Sequence, residues 1–240
     1  MPNPFFQFKQ FTVKHDRCAM KVTTDACAFG AWCADVLQRE RTTGKRILDI
    51  GGGTGLLSLM VAQKTEAIME AVEIDSEAAT QARENFSNSP FAERLTVREA
   101  DFLQLPPDLK YDIIISNPPF YENELASEKA SRNIAHHGHA LTVAHLLSHL
   151  KSRLQPHGEF FLLLPYKRKQ EIEHLLAAKG LYCKEQLWLR QTPAHSPFRL
   201  LLRGSPEPAV TFVSELVVAD GNRAYTPEFT ELLKDYYLRM

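Results

Sequence analysis

The sequence predicts an α/β fold: a doubly wound, mainly parallel sheet in a single domain. Three observations carry that expectation. Short apolar, β-branched runs alternate with helical stretches along most of the 240 residues. A glycine-rich segment, Asp49-Ile50-Gly51-Gly52-Gly53-Thr54-Gly55, joins the strand Arg46-Ile47-Leu48 to a helix from Leu56 to about Gln63. A third run, Ile113-Ile114-Ile115, stops against Asn117-Pro118-Pro119-Phe120, because proline has no N–H to give to a sheet ladder.

Taken in order, the chain opens with Phe5, Phe6, Phe8 and Phe11 interleaved with Lys9, Lys14, Arg17 and Lys21, against the single acid Asp16. This reads either as an arm whose phenylalanines pack or as a local positive surface for nucleic acid. A helix follows over Ala26 to Leu37, with Thr24-Asp25 as its N-cap. After the glycine-rich turn, Glu70 to Ile74 is the next strand, ending in the acids Glu73 and Asp75. Ser76 caps a helix to about Asn88, and Leu95 to Arg98 is a strand leading into Glu99-Ala100-Asp101-Phe102. Beyond Phe120, Tyr121 to Ala140 is polar, of mixed charge and rich in small residues, a long excursion over the end of the preceding strand. Thr142 to Leu154 is a helix, Glu159 to Leu164 a buried strand, and Arg168 to Lys179 a helix ended by Gly180. Leu181 to Leu189, Phe198 to Arg203 and Val210 to Val218 read as antiparallel strands, and Thr226 to Tyr237 as a closing helix. The expected organisation is one domain: an arm and helix over 1–42, a core over 43–204, and a strand and helix over 205–240.

Composition sets limits. Hydrophobic residues make up 44%, enough for a full core in one large domain. No apolar stretch is long enough to span a bilayer, and the first residues lack the pattern of a signal peptide. Cys18, Cys27, Cys33 and Cys183 form no CxxC pair, and the nine histidines show no zinc spacing. The expectation is free thiols, a reducing cytoplasm and no metal. The net charge is −1, so any nucleic-acid surface must be local.

The chemistry lies in four motifs. The glycine-rich turn does not end in the Gly-Lys-Ser/Thr of a Walker loop, and Leu56 stands where a dinucleotide fingerprint has its third glycine. It opens with an acid, Asp49, poorly placed for pyrophosphate and well placed near an ammonium or sulfonium group. The ligand reads as a cationic nucleoside. Glu73 is placed to accept hydrogen bonds from ribose hydroxyls, with Asp75 the alternative. Asp101 is placed to accept from an adenine amine, with Phe102 alongside the ring. Asn117 and the carbonyl of Pro118 offer acceptors to a planar amine, and Phe120 a ring to stack on it.

Together these motifs resemble the class I methyltransferases that use S-adenosylmethionine. The Asn-Pro-Pro-aromatic turn is typical of those that methylate amine or amide nitrogens, on adenine, guanine or protein glutamine alike. The resemblance implies a Rossmann-like, seven-stranded sheet with the cofactor at the strands' C-terminal ends, Gly51, Gly53 and Gly55 facing it, and Asn117, Pro118 and Phe120 at the reacting amine. The two ends of the chain narrow it further. Phe11-Thr12-Val13, Met20 to Asp25, Gly30-Ala31-Trp32, then Tyr225 to Phe229 and Tyr236-Tyr237, are similar to a bacterial group of tRNA adenine-N6 methyltransferases that act on adenosine 37 of a valine tRNA. In that group the segment matching Lys21, Thr24 and Asp25 runs beneath the cofactor's methionine moiety. The implied partner is tRNA, with no DNA, no membrane and no obligate protein partner. The expected RNA contacts are Lys9, Lys14 and Arg17 on the arm and Arg132, His136 and His137 after Phe120.

Overall fold

A computed structural model describes residues 3–18, 20–40, 42–118 and 142–240. A short hairpin, β1 (Phe5–Gln7) with β2 (Thr12–Lys14), precedes helix α1 (Thr24–Arg39). Then come β3 (Arg46–Ile50), α2 (Leu56–Lys64), β4 (Ile68–Glu73), α3 (Ser76–Ser87), β5 (Leu95–Glu99) and β6 (Tyr111–Ser116). After the undescribed stretch follow α4 (Val143–Arg153), β7 (Leu154–Pro165), α5 (Lys169–Ala178), β8 (Tyr182–Arg190), β9 (Arg199–Ser205), β10 (Phe212–Val217) and α6 (Pro227–Leu233).

The sheet order is β10-β8-β9-β7-β6-β3-β4-β5. Strands β5, β4, β3, β6 and β7 are mutually parallel, and only β9 runs against its neighbours. The order reverses between β3 and β6, so their C-terminal ends flank the crevice where open α/β sheets take ligands. The sheet has eight strands against the expected seven; β10, within the expected strand Val210 to Val218, lies at the edge. It pairs with β8 in parallel rather than antiparallel. The reason is local: β9 ends beside the start of β8, and residues 206–211 hop across that end, so β10 starts level with β8 and runs the same way.

Helices cover both faces, which is why the strands read as continuous apolar runs. Ile113 and Ile115 point into a core shared with α1, α2, α3 and α6, while Ile114 points into the other, with α4 and α5. The arm's phenylalanines belong to the first core. Phe8, Phe11 and Val13 are buried, and the Phe8 ring stacks on Phe11 at 4.6 Å. Among the described residues, no helix is long and apolar enough to cross a membrane, and no His/Cys/Asp/Glu cluster is arranged to hold a metal.

Two caps differ from the expectation. Asp75, not Ser76, caps α3, its Oδ1 accepting the Ala78 N–H at 2.9 Å. The N-cap of α1 is Thr23, which makes no side-chain cap bond. Asp25 sits inside the first turn instead.

Candidate active site

The glycine-rich turn leaves β3 at the C-terminal edge of the sheet. Gly51, Gly53 and Gly55 have φ of +70°, +54° and +79°, a region glycine enters without strain. Their surroundings separate their roles. A Cβ on Gly51 would meet nothing within 4 Å, and one on Gly53 only the Gly51 carbonyl at 3.9 Å. These two residues front open space. A Cβ on Gly55 would lie 2.3 Å from the Phe86 ring, so this glycine permits the packing of α2 on α3 instead of facing a ligand.

Asp49 is the fourth residue of β3 and fully buried, not part of the turn. Its Oδ2 accepts the Ser58 hydroxyl at 2.8 Å, and its Oδ1 has no partner among the described residues. Burial pushes its carboxyl up to about 7 against the hydrogen bonds from Ser58, and the charge of Glu73 adds to the rise. Glu73 ends β4 and ties two loops together, accepting the Gly53 N–H at 2.8 Å on one oxygen and the Asp75 N–H at 2.9 Å on the other. Burial raises its pKa as well. Two carboxylates, both pushed up, therefore lie at the glycine turn. Such a pair favours a cationic or hydrogen-bond-donating ligand over a phosphate.

On the other side of the crevice, the Ser116 hydroxyl donates to the Ile50 carbonyl at 2.8 Å and pins the end of β6 beside the end of β3. Asn117 comes next. Its side-chain Oδ1 is buried without a partner among the described residues, and its Nδ2 lies 3.9 Å from the Met20 sulfur. Pro118 is buried. Phe120, Arg132, His136 and His137 lie outside the described residues.

The remaining acids are placed less as expected. Asp75 is engaged as the α3 cap. Asp101 caps the short turn Phe102–Gln104, accepting the Leu103 N–H at 2.9 Å. The Phe102 ring is packed in the core under the Arg153 guanidinium at 5.3 Å, so it is not free to lie alongside a ligand ring.

Sequence reasoning missed the groups that hold the segment before α1. Gln81 and Asn85, four apart on α3, are buried among Ala78, Ala82 and Phe86. Gln81 donates to Asp16 at 2.7 Å. Asn85 accepts the Lys14 N–H at 3.0 Å and donates to the Thr54 carbonyl at 2.8 Å, joining the arm to the glycine turn. Two amides spaced on an otherwise apolar helix face were the available signal. Farther along, Asp25 pairs with Arg199, Nε to Oδ2 at 2.7 Å. Lys21 and Thr24 are exposed between these anchors.

The proposed RNA contacts on the arm divide. Arg17 pairs with Glu84 and sits near the crevice, and Lys14 joins Asn85. Lys9 does not belong with them. Its ammonium donates to the Lys234 carbonyl, next to Asp235, which pairs with Lys64 at the far end of α2. That helix begins at the glycine turn and runs away from it for roughly 13 Å at 1.5 Å per residue. Lys9 therefore stands at the opposite edge of the sheet.

Comparison with known proteins identifies the fold and the family. The methyltransferase small domain family matches residues 32–185. A tRNA1(Val) (adenine(37)-N6)-methyltransferase from Parabacteroides distasonis is 40% identical over 243 residues, covering 100% of both chains. One from Dyadobacter fermentans is 43% identical, covering 99% of this chain and 98% of its own. One from Escherichia coli is 38% identical, covering 98% and 95%. Among solved structures, a predicted O-methyltransferase from Agrobacterium tumefaciens superposes with a TM-score of 0.67 at 21% identity, covering 88% of this chain and 96% of its own. The glycopeptide N-methyltransferase MtfA complexed with S-adenosylmethionine does so with a TM-score of 0.53 at 13% identity, covering 75% and 88%. The fold is that of a class I methyltransferase, and the full-length likeness makes this chain a member of the tRNA1(Val) (adenine(37)-N6)-methyltransferase family.

Proposed function

We propose that this protein transfers a methyl group from S-adenosylmethionine to N6 of adenosine 37 in a valine tRNA. The observation that carries the chemistry is the buried, unpartnered Oδ1 of Asn117, at the end of β6 and across the crevice from the open glycine turn. A buried acceptor without a donor costs free energy, and a ligand amine supplies the missing N–H. The choice of adenosine 37 rests on the relatives' shared name.

The residues present fit the cofactor. Gly51 and Gly53 leave its backbone room, Glu73 has lone pairs left for ribose hydroxyls, and buried Asp49 favours positive charge nearby. When bound, S-adenosylmethionine supplies a methyl group on a sulfonium. The chain's own part is to make the adenine amine a nucleophile. That nitrogen's lone pair is delocalised into the ring. Accepting its two hydrogens, one at Asn117 Oδ1 and one at the Pro118 carbonyl, favours a pyramidal nitrogen with a localised pair. Both bonds strengthen as the nitrogen becomes positive, and the surplus proton leaves afterwards to water. Phe120 stacks on the base, and Asp101 and the Phe102 backbone hold the cofactor's adenine. Hydrogen bonds to charged groups contribute about 1.5–3 kcal/mol each, so losing one costs on the order of tenfold to several hundredfold in rate.

The test is methyl transfer from labelled cofactor to total tRNA and, in parallel, to ribosomal RNA, followed by nucleoside mass spectrometry. N6-methyladenosine in one valine isoacceptor is expected, and Asn117→Ala should lose single-turnover rate while cofactor affinity holds. Label appearing instead as N2-methylguanosine in ribosomal RNA would refute the acceptor assignment.

A further inference from the structure

We infer that Arg199 is a positioning residue for this reaction: it anchors Asp25, and through it the segment 20–25, as the wall of the cofactor crevice facing the glycine turn. The inference rests on the functional reading above.

Arg199 is the first residue of β9. It is in register with Pro165, the last residue of β7, and with Leu189 of β8. Its backbone is thus held on both sides by the sheet, at the same edge as Asn117. Its guanidinium meets Asp25 with Nε 2.7 Å from Oδ2, and the two side chains are only 29% and 15% exposed. Asp25 Oδ1 also accepts its neighbouring N–H, from Ala26, at 3.1 Å.

The segment ahead of Asp25 crosses the mouth of the crevice. At its start, Asp16 is held by Gln81, and the Arg17 N–H donates to Gln81 Oε1 at 3.3 Å. Cys18 comes near the end of β4. Burial, then the charges of Glu73 and Asp75, push its thiol up to about 12. Met20 reaches Asn117 at the end of β6. Asp25 then meets β9. The chain therefore runs past the ends of β4 and β6 and is tied at α3 and at β9. Between the ties its described residues form no helix or strand; Val22 is half-buried against the first core, its N–H 3.5 Å from His15 Nδ1, while Met20, Lys21, Thr23 and Thr24 are exposed. Thr23 gives the α1 N-terminus no side-chain cap bond, so the near end of the segment lacks the usual local anchor. The ion pair to a sheet residue takes that place. An ordering contact of this kind acts on binding: without it the cofactor must order the segment itself, and the cost appears in affinity, not in the chemical step.

The experiment is calorimetry with S-adenosylmethionine and single-turnover methylation, on the full chain. Arg199→Met should raise Kd and KM for the cofactor about tenfold, the equivalent of one charged hydrogen bond. The single-turnover rate at saturating cofactor should stay within about twofold of the unmodified protein. Arg199→Lys should restore most of the affinity. Asp25→Asn, which cuts the pair from its other end, should give the same shift, and the double variant should bind no worse than either single one. Hydrogen exchange of the free protein should quicken over 20–25 in Arg199→Met. Unchanged affinity, additive losses, or a rate that falls even at saturation would each overturn the inference. If the unmodified protein binds no S-adenosylmethionine, the functional reading fails and the inference with it; if it binds and Arg199→Met binds equally well, the inference alone fails.

Discussion

The two edges of the sheet hold buried charge in different ways. At the edge where β7 and β8 begin, Arg203 is nearly buried and meets three carboxylates: Glu159 at Nε and Glu185 at Nη1, each at 2.7 Å, and Glu40. A cavity of about 560 Å³ opens beside it, lined by Trp32, Val36 and Phe212 among others, but Arg203 and Lys184 in its wall are both ion-paired. At the C-terminal edge, two buried acceptors, Asp49 Oδ1 and Asn117 Oδ1, have no partner among the described residues. Neither cavity size nor a single unmet atom marks the site, since Thr42 Oγ1 and Gln63 Oε1 are also unpartnered among the described residues; two buried acceptors at the facing ends of β3 and β6, beside the open glycine turn, do. Buried polar groups are almost always satisfied, so two unmet acceptors flanking the same open turn point to a ligand.

Two glycines sharpen this contrast and give the largest expected effect. Gly44, in the turn before β3 at the far edge, has φ of +76° and nothing within 4 Å of a built Cβ; Gly53 has φ of +54° and similar room. A side chain at either pays the left-handed cost of about 1–2 kcal/mol. Only at Gly53 does it also occupy the ligand's path. Gly53→Val should weaken cofactor binding by about a hundredfold or more, roughly 3 kcal/mol. Gly44→Val should lower Tm with affinity unchanged. Calorimetry showing normal binding by Gly53→Val would remove the turn from the site.

Arg203 tests the other edge. Arg203→Met leaves three carboxylates near one another without their common partner. Breaking such a buried cluster costs on the order of 3 kcal/mol. For a chain of this size that lowers Tm by roughly 6–12 °C. Turnover per folded molecule at 25 °C should be unchanged. A loss of kcat without a loss of Tm would mean that the two edges are coupled.

How much of this was legible in the sequence follows the same division. Local rules reach the parts built by local rules. β-branched runs gave the strands, and the glycine spacing and the Asn-Pro-Pro turn located the crevice. Asp101 and Glu73 fell at strand ends as their positions require. What escaped depends on contacts between residues far apart in the chain. Arg199 and Asp25 are separated by 174 residues, and nothing near either one announces the other. Lys9 reads as a basic arm residue until the packing of Phe8 against Tyr237 carries it to the wrong edge. Gly55 and Phe102 match motif positions, yet Phe86 and Arg153 decide what they face. The parallel pairing of β10 depended on which side of β8 a short connection crosses.

The next effect is smaller and follows pH. Asp49 is raised from 3.8 to about 7 in the free protein, so it is mostly protonated at pH 6. Its unfolded value is lower, so its contribution to stability is fullest below about pH 4 and falls as pH rises towards 7. A cationic ligand favours the carboxylate and pulls the pKa back down. Binding below pH 7 therefore releases a proton, and affinity for S-adenosylmethionine should rise with pH up to about 7, by at most tenfold per unit, and then level off. Calorimetry in two buffers of different ionisation enthalpy would detect the proton. Asp49→Asn should flatten the profile; a profile that stays sloped in that variant would assign the proton elsewhere, with Glu73 the next group to examine.

The smallest expected effect separates the two edges most directly for RNA. Lys14 and Arg17 stand on the crevice side, held by Asn85 and Glu84, while Lys9 is held at Lys234 beyond the far end of α2. Each phosphate contact contributes about one counterion to the salt dependence of binding, a slope of about −0.9 per contact on duplex and −0.7 on single strands. Arg17 is already paired with Glu84, so its net contribution is reduced and its loss should weaken tRNA binding only about twofold to fivefold, with a slightly shallower salt slope. Lys9→Ala should change neither affinity nor slope, because the length of α2, roughly 13 Å, separates it from the glycine turn by more than a Debye length of about 8–10 Å. Filter binding of tRNA at several salt concentrations, with cofactor affinity as the control, reads both. If Lys9→Ala weakens tRNA binding as much as Arg17→Ala does, the RNA wraps around the hairpin to the far edge. The substrate surface would then include the end of the molecule assigned here to stability alone.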